Sequence, residues 1–117
     1  IMVQYHNIIS PLLTMKVSRY SKQGSSAYGE VYETAEDEFR CRIEPSKKRI
    51  STDTGDERIT SARLFCKGTQ DINVGDKIVW SDGDEGSITY YVLGVDTIIG
   101  YKHISHKEVD LGLDSNG

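Results

Sequence analysis

The chain has 117 residues, with 14 Lys and Arg against 18 Asp and Glu and a formal charge of −4. That length fits one domain with one modest core, and an apolar share of 37% beside 27% charged residues excludes a disordered chain. The negative balance argues against a protein that coats nucleic acid, and no apolar run approaches the roughly 20 residues of a membrane span or resembles a signal-peptide core.

The charge is unevenly placed. Residues 1–68 carry 11 basic and 9 acidic side chains, a balance of +2, whereas residues 69–117 carry 3 and 9, a balance of −6. Stacked or ring-forming subunits of this kind would show a basic face and an acidic face. Cys41 and Cys66 lack CxxC spacing, and with no targeting signal they read as reduced, buried thiols.

Residues 1–14 differ from the rest. They hold the apolar residues Ile8, Ile9, Leu12 and Leu13 with no clear period, and they read as an N-terminal arm or extension that packs on a neighbour or lies disordered. From Met15 the signal is β. Short strands are expected at 16–20 and 29–34. The cleanest alternation is at 38–44, with Phe39, Cys41 and Ile43 on one face and Glu38, Arg40, Arg42 and Glu44 on the other.

Residues 61–67 alternate similarly through Ala62, Leu64 and Cys66. A strand at 77–81 precedes the longest run, 87–96, whose two faces (Ile88, Tyr90, Val92 and Tyr91, Leu93, Val95) are both rich, as in a central strand. The last strand, 102–111, changes phase between Ile104/His106 and Val109/Leu111, so a β-bulge is expected near Lys107. Turn residues fall at 22–26, 53–57, 82–86 and 99–100. No segment of helical length shows a helical period.

The expected fold is all-β: a small β-barrel or sandwich of about six or seven short strands with one long inter-strand loop at 46–60. The domain spans 15–111, with 112–117 as a C-terminal tail. The predicted core is Phe39, Cys41, Ile43, Leu64, Cys66, Ile78, Ile88 and Val92.

No catalytic, cofactor or metal constellation stands out. Asp82-Gly83-Asp84-Glu85-Gly86 is acidic but lacks EF-hand spacing and reads as a solvated hairpin turn. His103 and His106 point to opposite faces of a regular strand, and His6 is remote. Neither cysteine has a neighbouring base in sequence, and no phosphate-binding glycine motif occurs. Lys47-Lys48-Arg49, followed by Asp53, Asp56, Glu57 and Arg58, reads either as a contact with nucleic-acid phosphate or as a solvated loop of mixed charge.

The ordered segments Phe39-Arg40-Cys41-Arg42-Ile43-Glu44-Pro45, Thr60-Ser61-Ala62-Arg63-Leu64-Phe65, Ile72-Asn73-Val74-Gly75-Asp76-Lys77-Ile78, Tyr90-Tyr91-Val92-Leu93-Gly94-Val95 and His106-Lys107-Glu108-Val109-Asp110-Leu111 resemble the small head-completion, or head-closure, proteins of tailed bacteriophages. These are also called stoppers or head–tail joining proteins.

The resemblance covers roughly residues 15–111. It implies a non-enzymatic β-barrel subunit of the virion, assembled in the bacterial host cytoplasm. Such a subunit self-associates into a ring at the head–tail interface, below a portal or adaptor ring and above a tail-terminator or tail-tube protein. It closes the exit channel on packaged double-stranded DNA and needs neither cofactor nor membrane. By order along the chain, the projecting channel or gating loop is Ser46, Lys47, Lys48, Arg49, Asp53, Gly55, Asp56, Glu57 and Arg58.

Two rival readings remain. One is a tail-completion or terminator ring. The other is a cytosolic nucleic-acid-binding barrel using Tyr28, Tyr32, Tyr90 and Tyr91 as stacking platforms near Arg40, Arg42 and Lys47–Arg49.

Overall fold

The computed structural model describes residues 13–26, 29–32, 37–51, 55–81, 86–100 and 105–113. Ten strands follow in chain order: β1 (Met15–Tyr20), β2 (Lys22–Ser26), β3 (Gly29–Tyr32), β4 (Asp37–Pro45), β5 (Arg49–Ser51), β6 (Glu57–Ile59), β7 (Ala62–Lys67), β8 (Lys77–Ser81), β9 (Ser87–Ile99) and β10 (Ser105–Gly112). Six of them close a barrel in the order β1-β4-β7-β10-β9-β8, and every neighbouring pair is antiparallel. The chain is therefore the small all-β barrel expected. Closure pairs strands that would otherwise present edges, which suits a domain with a small core. No helix among the described residues is long and apolar enough to cross a membrane.

The remaining four strands form two separate hairpins, β2–β3 and β5–β6. Strand β3 falls within the strand expected at 29–34, whereas β2, β5 and β6 correct an expectation of turn or loop. Residues 22–26 are a strand, because β2 pairs with β3 and the hairpin hangs between β1 and β4. The long connection 46–60 carries a three-residue ladder, Arg49↔Ile59, Ile50↔Arg58 and Ser51↔Glu57. Runs this short, with one apolar residue each, leave no period-2 signature to read.

Alternation along β4 and β7 decides the barrel interior. Val17 lies opposite Phe39, and Ile43 lies opposite Leu64. Cys41, Leu64, Cys66, Ile78, Val109 and Leu111 are fully enclosed, and Val17, Ala62, Ile72 and Val92 complete the buried cluster. Phe39 and Ile43 are only partly buried against it. Ile88 was expected in the core and is 41% exposed, because it sits near the start of β9 opposite the similarly half-buried Trp80. Leu13, just before β1, is buried.

The irregularity expected near Lys107 lies elsewhere. Strand β10 pairs with β7 in unbroken register from His106 to Leu111. Against β9 the register shifts: Asp110 faces Gly94 while Leu111 faces Val92, leaving Leu93 as the extra residue. That bulge puts Val92 and Val95 on the same inward side, which explains why β9 looked apolar on both faces. β9 also runs on to Ile99, past the strand end expected at 96 and into the turn expected at 99–100. Its first half pairs with β8 and its second half with β10. Residues 102–104, the start of the expected last strand, lie outside the described residues.

Strands β7 and β8 are not neighbours, so residues 68–76 cross one end of the barrel. Ile72 plugs that end. Asn73 to Asp76 form a turn, with the Asp76 N–H donating to the Asn73 carbonyl. Gly75 occupies it with φ of +96°, a conformation that L side chains rarely adopt. The Asp76 carboxylate accepts the N–H groups of Asn73 and Lys22 and the Arg19 guanidinium. Beside it, the Lys107 ammonium donates to the carbonyls of Gly68 and Gln70 at 2.7 and 2.6 Å. Charges at this buried end are thus all hydrogen-bonded, as burial requires.

Candidate interface: the projecting hairpin and its seat

The β5–β6 hairpin continues the β4–β7 ladder with one residue too many. Pro45 pairs with Ala62, the Ser46 N–H donates to the Ser61 carbonyl, and the Thr60 N–H donates to the Lys48 carbonyl. Lys47 is therefore the extra residue. Thr60, 1% exposed, fills the irregularity. Its hydroxyl donates to the Ser46 carbonyl at 2.9 Å and accepts the Lys48 N–H at 3.1 Å. The result is one long ribbon with a bend at its base.

On this ribbon Lys47, Lys48, Arg49, Gly55, Asp56 and Glu57 are exposed, while Ser46 and Arg58 are half-buried. Gly55 has φ of +86°. Asp53 lies outside the described residues. Arg49 and Glu57 approach diagonally across the ladder at 3.7 Å, both well exposed, a pairing worth little.

Lys48 does more. Its ammonium reaches Asp110 of β10, at 3.3 Å, and so ties the hairpin to the barrel wall. Asp110 is the hub of a polar sheet face. Arg63 Nη1 donates to it at 2.7 Å, and Arg63 Nη2 donates to Glu108 at 2.8 Å. His106 Nε2 lies 2.8 Å from Glu108 Oε2, and Asp96 approaches Arg63 at 3.8 Å. These hydrogen bonds, from His106 first and then Arg63, hold the Glu108 carboxyl below its ordinary range.

Between the hairpin and the wall is an open cleft of about 540 Å³, bounded by Lys48, Ile50, Val74, Leu93, Gly94 and Asp110. On the hairpin's other side is a groove of about 440 Å³, bounded by Glu57, Arg58, Ile59, Leu93, Gly112 and Leu113. Leu93 separates the two, its extra position in β9 turning its side chain over Gly112. A Cβ on Gly112 would lie 2.9 Å from Leu93 Cδ1, so a side chain there would push the tip of Leu93 aside.

The sequence grouped residues 46–58 as one channel or gating loop, and the described part of that segment is the base and ladder of the β5–β6 hairpin. It did not reveal Asp110, Arg63 or Glu108, which the strand register brings beneath it from far along the chain. The one legible sign was the acidic and basic alternation of Glu108, Asp110 and Arg63 on otherwise apolar strands.

The described tyrosines of the stacking reading, Tyr32, Tyr90 and Tyr91, are drawn into contacts within the chain. Lys77 Nζ lies 4.8 and 4.7 Å from the ring centroids of Tyr20 and Tyr32, and Tyr32 packs 6.4 Å from Tyr91. Tyr90 faces the core, and burial raises its phenol above the ordinary value. Arg42 is turned to Glu44 at 2.7 Å, while Arg40 is exposed. Tyr28, His6, His103 and residues 82–85 lie outside the described residues. Among the described residues no three His, Cys, Asp or Glu side chains group as metal ligands. Cys41 and Cys66 are buried free thiols, and burial pushes them up to about 12 and about 11.

No family model matches the chain, and no curated protein matches it. A solved structure does: the phage-like element PBSX protein xkdH from Bacillus subtilis, with a TM-score of 0.54 and 19% identity, over 88% of this chain and 96% of that one. The likeness spans both chains almost end to end and concerns the fold.

Proposed function

We propose that this chain is a structural protein of a tailed-phage particle, set at the head–tail interface, where it closes the DNA exit channel after packaging and offers a docking surface to the tail. The observation that carries this reading is the fold it shares over nearly its whole length with a protein of a phage-like element. The head-closure role comes from the order of strands and from the ribbon 46–60, which stands out from the barrel where such proteins carry a projecting loop.

The charges suit that task. Lys48 and Arg49 each lie near a carboxylate of the same chain, which lowers the positive charge the ribbon offers to DNA while leaving Lys47 exposed. In this reading the partners are further copies in a ring, a portal or adaptor ring on the head side, a terminator or tube protein on the tail side and, transiently, packaged duplex DNA. No catalytic step is assigned to it.

The test is deletion of the gene in the phage that carries it, followed by electron microscopy of the lysate. Separate tails beside heads that have lost their DNA support head closure. Joined particles with tails of abnormal length point to a terminator ring. Normal virions exclude both and return the nucleic-acid-binding barrel to first place.

A further inference from the structure

Cys41 and Cys66 lie on neighbouring strands, and the register sets them opposite one another. The antiparallel β4–β7 ladder ends at Arg42↔Phe65, and one step further along both strands stand the two cysteines. Such a ladder alternates between hydrogen-bonded and non-hydrogen-bonded pairs. The Ser46 N–H donates to the Ser61 carbonyl, so Glu44/Arg63 and Arg42/Phe65 share the hydrogen-bonded phase. Ile43, in the other phase, turns its N–H away from β7 to Met15 Sδ at 3.2 Å. Cys41 and Cys66 continue the phase of Ile43 and Leu64. Opposite Cα atoms at such positions stand roughly 4.5 Å apart, with their side chains at closest approach. A disulfide spans Cα separations of about 4.4–6.8 Å. Both cysteines are free, 0% exposed and members of one core cluster.

We propose that Cys41 and Cys66 form a cross-strand oxidation site, a pair of thiols that hydrogen peroxide converts to a disulfide within the folded barrel. The Cys66 thiolate attacks one peroxide oxygen. The O–O bond breaks, hydroxide leaves and Cys66 becomes a sulfenic acid. The Cys41 thiolate then attacks the Cys66 sulfur; the S–S bond forms, the S–O bond breaks and a second hydroxide leaves. The two thiol protons neutralise the hydroxides, so two thiols and one peroxide give one disulfide and two waters. Cys66 goes first because Lys107 works against the burial that raises its thiol, whereas burial and then Cys66 itself both raise Cys41.

The reagent has a route. An open cleft of about 270 Å³ is bounded by Leu13, Phe39, Arg40, Lys67 and Gln70, and Arg40 and Lys67 are the chain neighbours of Cys41 and Cys66. Full burial of the sulfurs makes the step slow and favours a small oxidant over a bulkier alkylating agent. The bond closes a loop over residues 42–65, which contains the whole β5–β6 ribbon, and staples its two root strands where their backbone pairing stops. Under the head-closure reading the chain is made in a reducing cytoplasm and meets oxidant on release, so closure follows assembly. The site itself does not depend on that reading.

The test uses the full chain, purified with reductant and then freed of it. The folded protein is held in hydrogen peroxide, quenched with catalase, and unfolded in urea with N-ethylmaleimide for mass spectrometry. The expected product is a monomer two hydrogens lighter that takes no maleimide and yields a peptide joining Cys41 to Cys66. Dithiothreitol should restore both labels. The linked form should keep the circular-dichroism spectrum of the reduced chain and unfold at a higher urea concentration. The same treatment in urea shows that the oxidant is active. Both thiols still free in the folded chain while the unfolded chain oxidises, sulfinic acid on the separate cysteines, covalent dimers, or a linked form that has lost its spectrum or unfolds earlier would each overturn the proposal. Because this chemistry is read on the purified chain, its failure is separable from failure of the head-closure reading, which the deletion phenotype decides.

Discussion

Arg19 Nη1 donates to Asp76 Oδ2 at 2.8 Å, joining residues 57 apart in sequence. Both side chains are buried, at 10% and 3% exposure. Burial works against the guanidinium's charge, but hydrogen bonds to Asp76 and Asp37 outweigh it and leave the group above its ordinary value. Asp71 adds a third carboxylate at 3.3 Å. The pair fastens the end-crossing connection to β1.

Removing Asp76 leaves Arg19 only the more exposed Asp37 and Asp71 and takes the acceptor from two backbone N–H groups, so Asp76→Ala should cost about 3–5 kcal/mol. Arg19→Met should fall in the same range. The double variant should cost clearly less than the sum of the two, as urea unfolding of all four proteins would show. Strict additivity would mean that the two residues do not act as a unit.

The Gly75-Asp76 step shows what the sequence disclosed and what it withheld. It lies in one of the segments that carry the resemblance, just before the strand expected at 77–81, and it is a turn. Nothing in its spacing pointed to Arg19, because that contact comes from barrel closure, a long-range consequence of register. The same holds for Lys48 and Asp110. In contrast, β4 and β7 were legible because one face of each is apolar and the other charged. β9 misled because a single extra residue, Leu93, moves Val95 to the face of Val92. The β5–β6 ladder was invisible because its side chains are mostly solvated, and pattern reading detects burial rather than hydrogen bonding.

Leu64 and Ile88 separate true core from apparent core. Leu64 is 0% exposed and Ile88 41%. Leu64→Ala should destabilise by about 2.7–5 kcal/mol, whereas Ile88→Ala, opening no enclosed cavity, should stay near 1 kcal/mol. Phe39→Ala should fall between them, since Phe39 is only partly buried. Thermal unfolding of the three variants gives the order directly, and a larger loss for Ile88 than for Leu64 would contradict it.

Glu108 makes an acid-side prediction. Its carboxyl is held below the ordinary value by His106 first and Arg63 second, with Asp110, Asp96 and Lys48 on the same face. A group whose folded pKa is depressed contributes stability above its unfolded value of about 4.3, and loses it as pH falls through the folded value. Glu108→Gln should therefore lower stability at pH 7 by about 1.5 kcal/mol, the low end for a charged hydrogen bond. The loss should fade as pH drops below the unfolded value. A deficit that persists undiminished at pH 3 would assign the effect to shape rather than charge.

Cys41 and Cys66 make the alkaline counterpart. Unfolded thiols ionise near about 8.5. Burial holds the folded ones to about 12 and about 11. The stability this proton retention gives is fully present below the unfolded value and is lost as pH rises from there through the folded values. At pH 8 iodoacetamide should leave the folded protein unmodified and add two groups once it is unfolded in urea, as mass spectrometry would record. Rapid labelling of the folded chain would show that the barrel opens locally at β4 and β7.

The projecting ribbon gives the prediction closest to function. Its base is set by Thr60 and its lean by Lys48 on Asp110, neither of which involves the tip. Replacing residues 52–56 with Asn-Gly joins Ser51 to Glu57 through a two-residue turn of the kind antiparallel strands favour. The barrel should keep its circular-dichroism spectrum and melting temperature, because no core side chain changes. In the phage, heads carrying the shortened chain should lose DNA before tails attach if the tip helps to obstruct the channel, and retained DNA can be counted by nuclease protection. Thr60→Val acts on the base instead. It leaves the Lys48 N–H without its hydroxyl acceptor and should cost about 1–3 kcal/mol. It should also speed hydrogen exchange at residues 48–51 and 57–59 more than in β7. Full DNA retention by the shortened chain, with its barrel intact, would show that the tip does not hold DNA back and would leave the ribbon as a docking element.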